Sequence, residues 1–508
     1  MRNSTRSSPP HDRRAGTFPL SPRIGIDLCR ARVTDGNTMN VSEVGNRAGR
    51  HAIVIGAGVA GLVAARVLSD HFVRVTLMDR DFLPDAPMPR SWVPQGQHAH
   101  VLAHSGQVTL ERLFPGLFAG MGANGSVAVD LGAQMHWQHL GIVSTRARTG
   151  ALSQFQSRYA LEWHMRRQLR ALDNICILQR AQVTGLRTNC TGAAISGVEF
   201  CTLSEGDAQK GVLTADLVVD ASGRMSQLPR WLQVLGYDCA GQSEIAIDFT
   251  YASRIYRRPR SFRGDWKVLL CEQDPAAGSR SVRIVPIEDD CWIVTAGGRL
   301  GERPPGDEAG FLDFLQSVLD PETLNALRGA EALSPILSGR LTSNQRRYYE
   351  RLKRFPGRLI ALGDALCSLN PFYGQGMGMC IEQAVGLDRC IRRSAGDLTR
   401  AARRFRSDSA RMVDAQWMVA ACEELRYAQA RSSRPAVVKA FNWHMRKLRG
   451  LSAHDAEAMH ALLAVAHMHA HPKTLYRPGM ILKVLASSLR RRRSPALIAR
   501  RTANSAVT

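Results

Sequence analysis

Residues His51–Asp79 read HAIVIGAGVAGLVAARVLSDHFVRVTLMD, and this stretch decides the fold. Its first apolar run, Ile53–Ile55, is typical of a buried parallel strand. The run leads directly into Gly56, Gly58 and Gly61, which have the spacing GxGxxG. Apolar side chains then recur at helical spacing, and a second apolar run ends at the final aspartate. This order of strand, glycine turn, helix and strand predicts a Rossmann-type nucleotide-binding unit.

The three glycines, the helix N-terminus and the final aspartate of this motif have different physical roles. Gly56 allows the tight turn out of the strand, Gly58 lets a pyrophosphate approach the backbone, and Gly61 lets the helix pack closely on the strand. The helix N-terminus offers free N–H groups and the positive end of its dipole to phosphates. Asp79 ends the second strand, where its carboxylate can accept a hydrogen bond from a ribose hydroxyl. The motif alone does not distinguish NAD from FAD.

Two later stretches carry further nucleotide-type motifs. Residues 217–223 read LVVDASG, a buried strand followed by a turn. Residues 357–384 read GRLIALGDALCSLNPFYGQGMGMCIEQA, in which a third buried strand ends at Gly363 and Asp364. The following loop contains proline and several glycines, so its backbone can approach a flat ligand, and a helix is predicted to begin near Met377.

The three ordered motifs resemble the flavoprotein monooxygenases of the para-hydroxybenzoate hydroxylase fold across roughly residues 51–400. The GDA and NPFYGQGM patterns are most similar to the epoxidase branch, which includes squalene epoxidase and the bacterial polyether epoxidases. The resemblance implies an α/β fold and FAD as the cofactor. It further implies a Rossmann-type FAD-binding domain of the GR2 type, an inserted β-sheet substrate domain and a C-terminal helical region.

The resemblance also implies roles for individual residues. Asp364 should bind the ribityl hydroxyls, Pro371 should lie beside the isoalloxazine ring, and Arg158 matches an arginine that contacts FAD in related flavoproteins. Backbone N–H groups at the start of the helix should face the pyrimidine edge of the flavin. The full set of expected cofactor-binding residues is Gly56, Gly58, Gly61, Asp79, Arg158, Gly363, Asp364, Pro371, Gly374, Gly376 and Met377. No catalytic side chain is assigned, because the chemistry belongs to the flavin, and no metal ligands are expected.

Several histidines leave their roles open. His98, His100 and His104 suit either structural hydrogen bonds or contact with the flavin, and the structural interpretation is favoured. The segment 467–471 reads HMHAH, which would suit a metal site on a strand, but its surroundings favour a helix. A helix would not place all three imidazoles on one face, so a metal site is disfavoured.

The turn after the middle strand departs from the aromatic hydroxylases that share this fold. Those enzymes usually carry an Asp-Gly pair associated with pyrophosphate binding and NADPH use, whereas Ser222 and Gly223 stand here. No second Rossmann motif for NADPH occurs in the chain. The expected electron donor is therefore NAD(P)H acting either directly or through a flavin reductase.

The predicted domains follow from the order of these signals. Residues 1–50 are expected to be a disordered basic tail, and residues 51–235 and 351–400 a discontinuous FAD-binding domain. Residues 236–350 show strand-like runs separated by turns and are assigned to a β-sheet substrate domain. Residues 401–508 lack strand signals and are assigned to a C-terminal helical region with a basic tail.

Charge and cysteine content limit the partners and the compartment. The formal net charge is +23, and residues 480–508 contain seven basic and no acidic residues. No nucleic-acid module is present, so a solvated basic surface is favoured. The alternative is peripheral contact of residues 477–493 with an anionic membrane. The eleven scattered cysteines, without CxxC spacing, and the lack of a secretory signal favour a cytoplasmic protein.

The expected function is monooxygenation of a small hydrophobic organic substrate, with a role in secondary metabolism. Reduced flavin would react with O₂ to give a flavin hydroperoxide, which transfers one oxygen to a double bond or an electron-rich carbon. The WxWxIP signature of flavin halogenases is absent. Two alternatives stay open: a carbon–carbon reductase or dehydrogenase similar to the geranylgeranyl reductases, and a non-catalytic binding protein similar to the prenyl-protein escort proteins.

Overall fold

A five-stranded parallel sheet carries the three predicted nucleotide motifs in this computed structural model, which describes residues 47–203, 208–427 and 436–492. Its strands, in spatial order, are β17 (Leu359–Ala361), β11 (Leu217–Asp220), β1 (Gly49–Ile55), β2 (Phe72–Met78) and β7 (Ile175–Leu178). The predicted α/β class is confirmed. The expected tails, up to residue 46 and beyond residue 492, lie outside the described residues.

The register of this sheet brings the three motifs to one edge. Ile55 at the end of β1 pairs with Met78 of β2 and with Asp220 of β11. Asp220 in turn pairs with Ala361 of β17. Because parallel strands end at the same edge, the turns that follow these four residues lie side by side. A ligand-binding crevice is expected outside the carboxyl ends of such strands.

Helices cover the parallel sheet and bury its apolar side chains. The largest cluster joins Leu62 and Val63 of the first helix to Leu161, Ile381 and Leu387 of later helices. The helices of this part are α1 (Val59–Ser69), α2 (His104–Leu113), α3 (Leu117–Ala123), α4 (Arg158–Arg170), α5 (Leu228–Val234) and α8 (Gly376–Arg392). Two smaller sheets are antiparallel. In one, β3 (Val127–Asp130) pairs with β6 (Leu152–Phe155). In the other, β9 (Ile195–Thr202) lies between β8 (Ala181–Thr188) and β10 (Lys210–Thr214).

An eight-stranded mixed sheet forms the second layer of the fold. In spatial order its strands are β18 (Cys367–Ser368), β16 (Leu337–Arg347), β12 (Gln242–Arg257), β15 (Cys291–Arg299), β14 (Arg280–Ile287), β13 (Val268–Glu272), β4 (Met135–His139) and β5 (Ile142–Val143). Helices α6 (Glu308–Gln316) and α7 (Pro321–Arg328) pack against one face. Strands β4 and β5 come from the segment 51–235, which the sequence assigned wholly to the FAD-binding domain. They pair here because Leu269–Cys271 offers β4 a parallel edge.

The C-terminal part of the described chain is helical. Its helices are α9 (Leu398–Glu424), α10 (Ala436–Ser452), α11 (Ala456–Ala466) and α12 (Pro478–Arg492). Leu448, Leu462 and Val484 form a small core between the last three. Among the described residues, none of the helices has the length and apolar content needed to cross a bilayer.

Candidate functional site

The three glycines of the first motif are required for different physical reasons. Gly56 has φ of +99°, and a Cβ there would lie 2.6 Å from a carbonyl oxygen of the LVVDASG turn. A Cβ at Gly61 would lie 1.7 Å from the carbonyl oxygen of Gly56, so the packing of α1 on β1 demands glycine. A Cβ at Gly58 would meet only the side chains of Arg158 and Glu162, each at 4.0 Å. The fold itself therefore does not require Gly58, whereas close approach of a ligand to this backbone would.

Asp79 is held beneath the glycine turn by protein donors. Its Oδ2 accepts a hydrogen bond from the N–H of Ala57 at 2.6 Å and lies 2.8 Å from Nη2 of Arg90. Its Oδ1 accepts from the N–H of Asp81 at 2.8 Å. The carboxylate thus positions the turn, and its expected bond to a ribose hydroxyl would use remaining acceptor capacity.

Arg90 connects three carboxylates below the same turn. Its guanidinium lies 2.8 Å from Asp79, 3.4 Å from Asp81 and 3.3 Å from Glu162, and its side chain is only 3% exposed. Burial opposes its charge most strongly, but Asp79 and Glu162 together raise the pKa of Arg90. The sequence did not identify Arg90, because no motif marks a residue in the irregular segment after β2.

Arg158 lies beside the glycine turn, and its expected contact with FAD stays a prediction. Its Nε donates to Oε1 of Glu162 at 3.0 Å, and its Nη1 lies 3.4 Å from Nε2 of His100. Burial first, and then the charge of Arg158, lower the pKa of His100 to about 3. The imidazole is therefore neutral, whereas the guanidinium of Arg158 brings a positive charge to 4.0 Å from the position of a Gly58 Cβ.

Asp364 offers a carboxylate that no protein group uses. Among the described residues, no donor lies within hydrogen-bonding distance of this half-buried side chain. Burial raises its pKa, while the guanidinium groups of Arg158, Arg224 and Arg347 act in the opposite direction. The preceding Gly363 has φ of +67°, and its N–H donates to Oε1 of Gln383 at 2.7 Å. A free acceptor at this edge fits the hydroxyl groups of a ribityl chain.

Asp220 has the opposite character, although it also ends a strand at this edge. It is fully buried, and its Oδ1 accepts from the N–H of Ser222 at 3.0 Å and from its hydroxyl at 2.5 Å. Its Oδ2 accepts from the hydroxyl of Ser226 at 2.5 Å. Asp220 therefore fixes the DASG turn and offers little to a ligand.

The loop before α8 presents backbone donors to the same edge. The side chain of Asn370 accepts from the N–H of Phe372 at 3.0 Å, and Gly374 turns the chain with φ of +68°. Helix α8 then begins at Gly376 without a side-chain cap. Within the described residues, the N–H groups of Gly376 and Met377 have no acceptor. These donors and the positive end of the helix dipole suit the electron-rich pyrimidine edge of a flavin.

Glu424, at the end of α9, holds this loop in place. Its Oε1 accepts from Asn370 at 3.0 Å and from the hydroxyl of Tyr373 at 2.6 Å. Its Oε2 accepts from Nη1 of Arg299 at 2.9 Å. No sequence pattern indicates this role, because Glu424 lies about fifty residues after the loop in a region with only helical signals.

The histidines that were left open make structural contacts. Nδ1 of His98 lies 2.8 Å from the hydroxyl of Ser253, and burial lowers the pKa of His98 to about 4. Nδ1 of His104 lies 2.7 Å from Nε2 of His469, in the turn that follows α11. Among the described residues no group of three or more His, Cys, Asp or Glu side chains is arranged to hold a metal ion.

Two cavities lie away from the three motifs. One, of about 300 Å³, is lined by Arg50, Asp216 and Arg358 near the amino ends of the parallel strands. The other, of about 420 Å³, lies beside Arg346 and Arg406. Neither contains an expected cofactor residue, and dinucleotides bind at the opposite, carboxyl edge of such sheets. The motif edge is therefore the candidate site.

Comparison with known proteins agrees with this geometry. Over 398 residues the chain is 33% identical to Protein Rv3254 of Mycobacterium tuberculosis, covering 75% of this chain and 81% of that protein. No protein-family model matches the sequence.

Solved structures share the fold at low sequence identity. A flavoprotein/dehydrogenase from Cytophaga hutchinsonii is 13% identical, with a TM-score of 0.63 over 88% of this chain and all of that chain. PqsL, a probable FAD-dependent monooxygenase from Pseudomonas aeruginosa, is 16% identical, with a TM-score of 0.54 over 75% of this chain and 98% of that chain. Flavin-dependent halogenases are also similar in structure. The chain therefore has the fold of these flavoproteins.

Proposed function

The chain belongs to the family of Protein Rv3254 of Mycobacterium tuberculosis, and we propose that it is an FAD-dependent monooxygenase. The observation that carries the proposal is the free carboxylate of Asp364 at the same sheet edge as the open face of Gly58. These two features and the N–H groups of Gly376 and Met377, which have no acceptor among the described residues, together match the hydroxyls, the pyrophosphate and the ring edge of FAD. The fold shared with PqsL supports the same cofactor.

The residues of this chain would divide the work of binding and orienting the cofactor. The turn at Gly58 and the guanidinium of Arg158 would hold the pyrophosphate, and Asp364 would hold the ribityl hydroxyls. The loop from Pro371 to Gly374 would lie along the ring, whose carbonyl edge would meet the N–H groups of Gly376 and Met377. Bound FAD supplies the oxygen-transfer chemistry, and the protein supplies position and a dry cavity.

We further propose that the enzyme is an epoxidase or hydroxylase that acts in secondary metabolism, and the likeness of the NPFYGQGM loop to the epoxidase branch supports this reaction type. We also propose a cytoplasmic location. The substrate would approach over the mixed sheet, and O₂ would be the second substrate.

The electron donor is proposed to be NAD(P)H, used slowly on its own or through a flavin reductase. The aligned Asp-Gly pair is absent, and the Ser222 hydroxyl is already committed to Asp220. Asp220 cannot substitute for the missing carboxylate because it is buried and bonded within its own turn.

The same turn favours a second candidate function, a carbon–carbon reductase or dehydrogenase. A DASG-type turn occurs in proteins similar to the geranylgeranyl reductases and also in flavin halogenases, and one structural neighbour is a flavoprotein/dehydrogenase from Cytophaga hutchinsonii. A reductase would form its product without O₂, whereas a monooxygenase requires it.

Peripheral membrane contact is proposed for the end of the described chain. Helix α12 buries Val484 but exposes Leu482 and Leu489, with 66% and 62% of their surfaces accessible. Sedimentation with vesicles that contain phosphatidylglycerol would test this contact, and loss of sedimentation in high salt is expected.

One experiment tests the central proposal. The purified protein is loaded with FAD, reduced anaerobically with NADH, NADPH or dithionite, and then mixed with O₂ while the flavin absorbance is followed. We expect stoichiometric FAD, slow reduction by both nicotinamides, and rapid reoxidation. Failure to bind FAD would overturn the proposal, and rapid reduction by NADPH alone would overturn the role given to Ser222.

A further inference from the structure

The cavity of about 420 Å³ beside Arg346 and Arg406 is lined mainly by arginines. It lies between helix α9 and the short turn Tyr349–Arg351. Its charged lining has five arginines against two acids, an excess of three positive charges. A concave surface of one sign of charge attracts ions of the other sign. The charged lining residues are Arg346, Arg351, Arg403, Arg406, Arg411, Glu350 and Asp414.

Both acids of this arginine cavity are paired with one buried arginine. Arg346 donates to Oδ1 of Asp414 and, at 3.0 Å, to Oε1 of Glu350. The other carboxylate oxygen of Glu350 is enclosed by protein, so it does not face the cavity. Arg411 has a partner of its own, Asp408, in the preceding turn of α9. The two acids therefore balance Arg346 and leave the remaining arginines without a direct partner.

Three arginines of the cavity make no ion pair with a carboxylate. In the part of the chain that the structure describes, no carboxylate oxygen lies within 4 Å of the guanidinium nitrogens of Arg351, Arg403 or Arg406. Burial first, and then the charge of Arg403, lower the pKa of Arg406, while Glu350 acts more weakly in the opposite direction. The positive charges therefore repel one another, and a bound anion would relieve this repulsion.

Aromatic rings hold two of these three guanidinium groups in place. The guanidinium carbon of Arg351 lies 3.9 Å from the centroid of the Tyr348 ring, and that of Arg406 lies 4.6 Å from the centroid of the Phe355 ring. Arg403 is three residues before Arg406 on α9, so the two share one face of the helix. Cations that are positioned before a ligand arrives lose less conformational entropy when they bind it.

We propose that the arginine cavity binds the diphosphate group of a small phosphorylated molecule. A phosphate monoester carries about 1.5–2 negative charges at neutral pH, which is less than the excess of three, so two linked phosphates match the cavity better. Guanidinium groups suit phosphate because their planar donors pair with its oxygens. None of the expected cofactor residues lines this cavity. The site is therefore separate from the FAD-binding edge and does not depend on the proposed function.

Titration calorimetry with inorganic pyrophosphate tests this assignment. The protein is loaded with FAD, so that the cofactor closes the first glycine turn to the probe. Orthophosphate is the matched probe with a single phosphate, and both titrations are carried out at the same ionic strength. We expect pyrophosphate to bind about tenfold more tightly than orthophosphate, a difference of about 1.4 kcal/mol, and to bind more weakly as salt is added.

Two double variants of α9 separate this cavity from the general charge of the protein. Arg403→Gln with Arg406→Gln removes two of the free cations and keeps the ion pairs of Arg346, and we expect it to bind pyrophosphate about tenfold more weakly. Arg400→Gln with Arg404→Gln is the matched control, because it removes the same charge from residues that do not line the cavity. It should bind pyrophosphate as the parent does. Circular dichroism checks the folding of both variants, and flavin absorbance checks their FAD content.

ADP distinguishes the sources of the diphosphate group. Binding of ADP much more tightly than pyrophosphate would support the site and assign it to a nucleotide. Equal binding of the two would support the site and assign recognition to the diphosphate group alone.

Several outcomes would overturn the inference. They are no binding of pyrophosphate by the parent at millimolar concentration, equal affinity for pyrophosphate and orthophosphate, and undiminished binding by the variant that lacks Arg403 and Arg406. Equal losses in the two double variants would also overturn it, because they would show attraction to the overall charge. FAD uptake is measured separately, so its failure would count against the proposed function and not against this cavity.

Discussion

The guanidinium of Arg90 lies 2.8 Å from the carboxylate of Asp79, and both side chains are buried beneath the first glycine turn. Glu162 and Asp81 complete this group of charges. The turn that would receive the pyrophosphate therefore rests on an ion-pair network drawn from a strand end, a loop and helix α4.

Removal of Arg90 should damage both folding and cofactor binding. Arg90→Ala leaves buried carboxylates without their counter-ion, which typically costs about 3–5 kcal/mol. We expect that loss in the free energy of unfolding measured with urea, together with loss of bound FAD. Arg80→Ala is the control, because Arg80 only rests on the Trp92 ring at 4.1 Å. It should cost less than about 1 kcal/mol. Equal stability of the two variants would contradict the network.

Gly58 and Gly61 should respond differently to the same substitution. Gly58 has φ of −76°, and a Cβ there would meet only the ends of two side chains at 4.0 Å, so Gly58→Val should fold but emerge colourless, without bound FAD. Gly61→Val should give no soluble folded protein, because its Cβ would collide with the Gly56 carbonyl. Flavin absorbance and circular dichroism report the two effects. A yellow Gly58→Val protein would disprove the pyrophosphate assignment.

Asp364→Ala should weaken FAD binding without destabilising the protein. Loss of a charged acceptor for the ribityl hydroxyls should lower the affinity roughly 10–150-fold. Titration of the apoprotein with FAD measures this change. An unchanged affinity would show that Asp364 does not hold the ribityl chain.

The pH dependence of that variant has a definite sign. Burial raises the pKa of Asp364, so its ionised form destabilises the folded apoprotein above that raised pKa. Apo Asp364→Ala should therefore be at least as stable as the parent at neutral pH, and any advantage should vanish as the pH falls towards the ordinary range of an aspartate. Asp220→Ala is the contrast. This substitution leaves the donors of Ser222 and Ser226 without their acceptor and should lower the free energy of unfolding by about 1–3 kcal/mol at neutral pH.

Buried neutral histidines should limit stability in acid. The folded pKa of His98 is about 4 and that of His100 about 3, both below the ordinary 6.5. Protonation therefore favours the unfolded chain, and stability that is complete above pH 6.5 should fall as the pH drops from 6.5 towards 4. Each unit of difference corresponds to about 1.4 kcal/mol. His98→Gln should flatten the curve of unfolding free energy against pH over this range. A curve parallel to that of the parent would contradict the assignment.

The sequence by itself determined the glycine turn and the strands of the candidate edge. Local steric rules explain this: only glycine fits at Gly56 and Gly61, and apolar runs such as Ile53–Ile55 form buried strands. The strand ends carrying Asp79 and Asp364 could be named for the same reason, because turns follow directly from the residues that form them. The sequence also predicted strands within residues 236–350 and a helix that begins near Met377, and the structure contains both.

The tertiary structure alone decided which polar groups are free and which are already used. Asp220 and Asp364 look alike in sequence, since each ends a buried strand. Asp220 is enclosed by its own turn, whereas Asp364 has no donor in the part of the chain that the structure describes. Glu424 contacts Asn370, and Arg283 contacts Phe372, in the loop before α8. Both come from distant parts of the chain, and no local pattern records such contacts. Hydrogen bonding and charge pairing depend on which segments meet in space, whereas turns and buried strands depend mainly on neighbours along the chain.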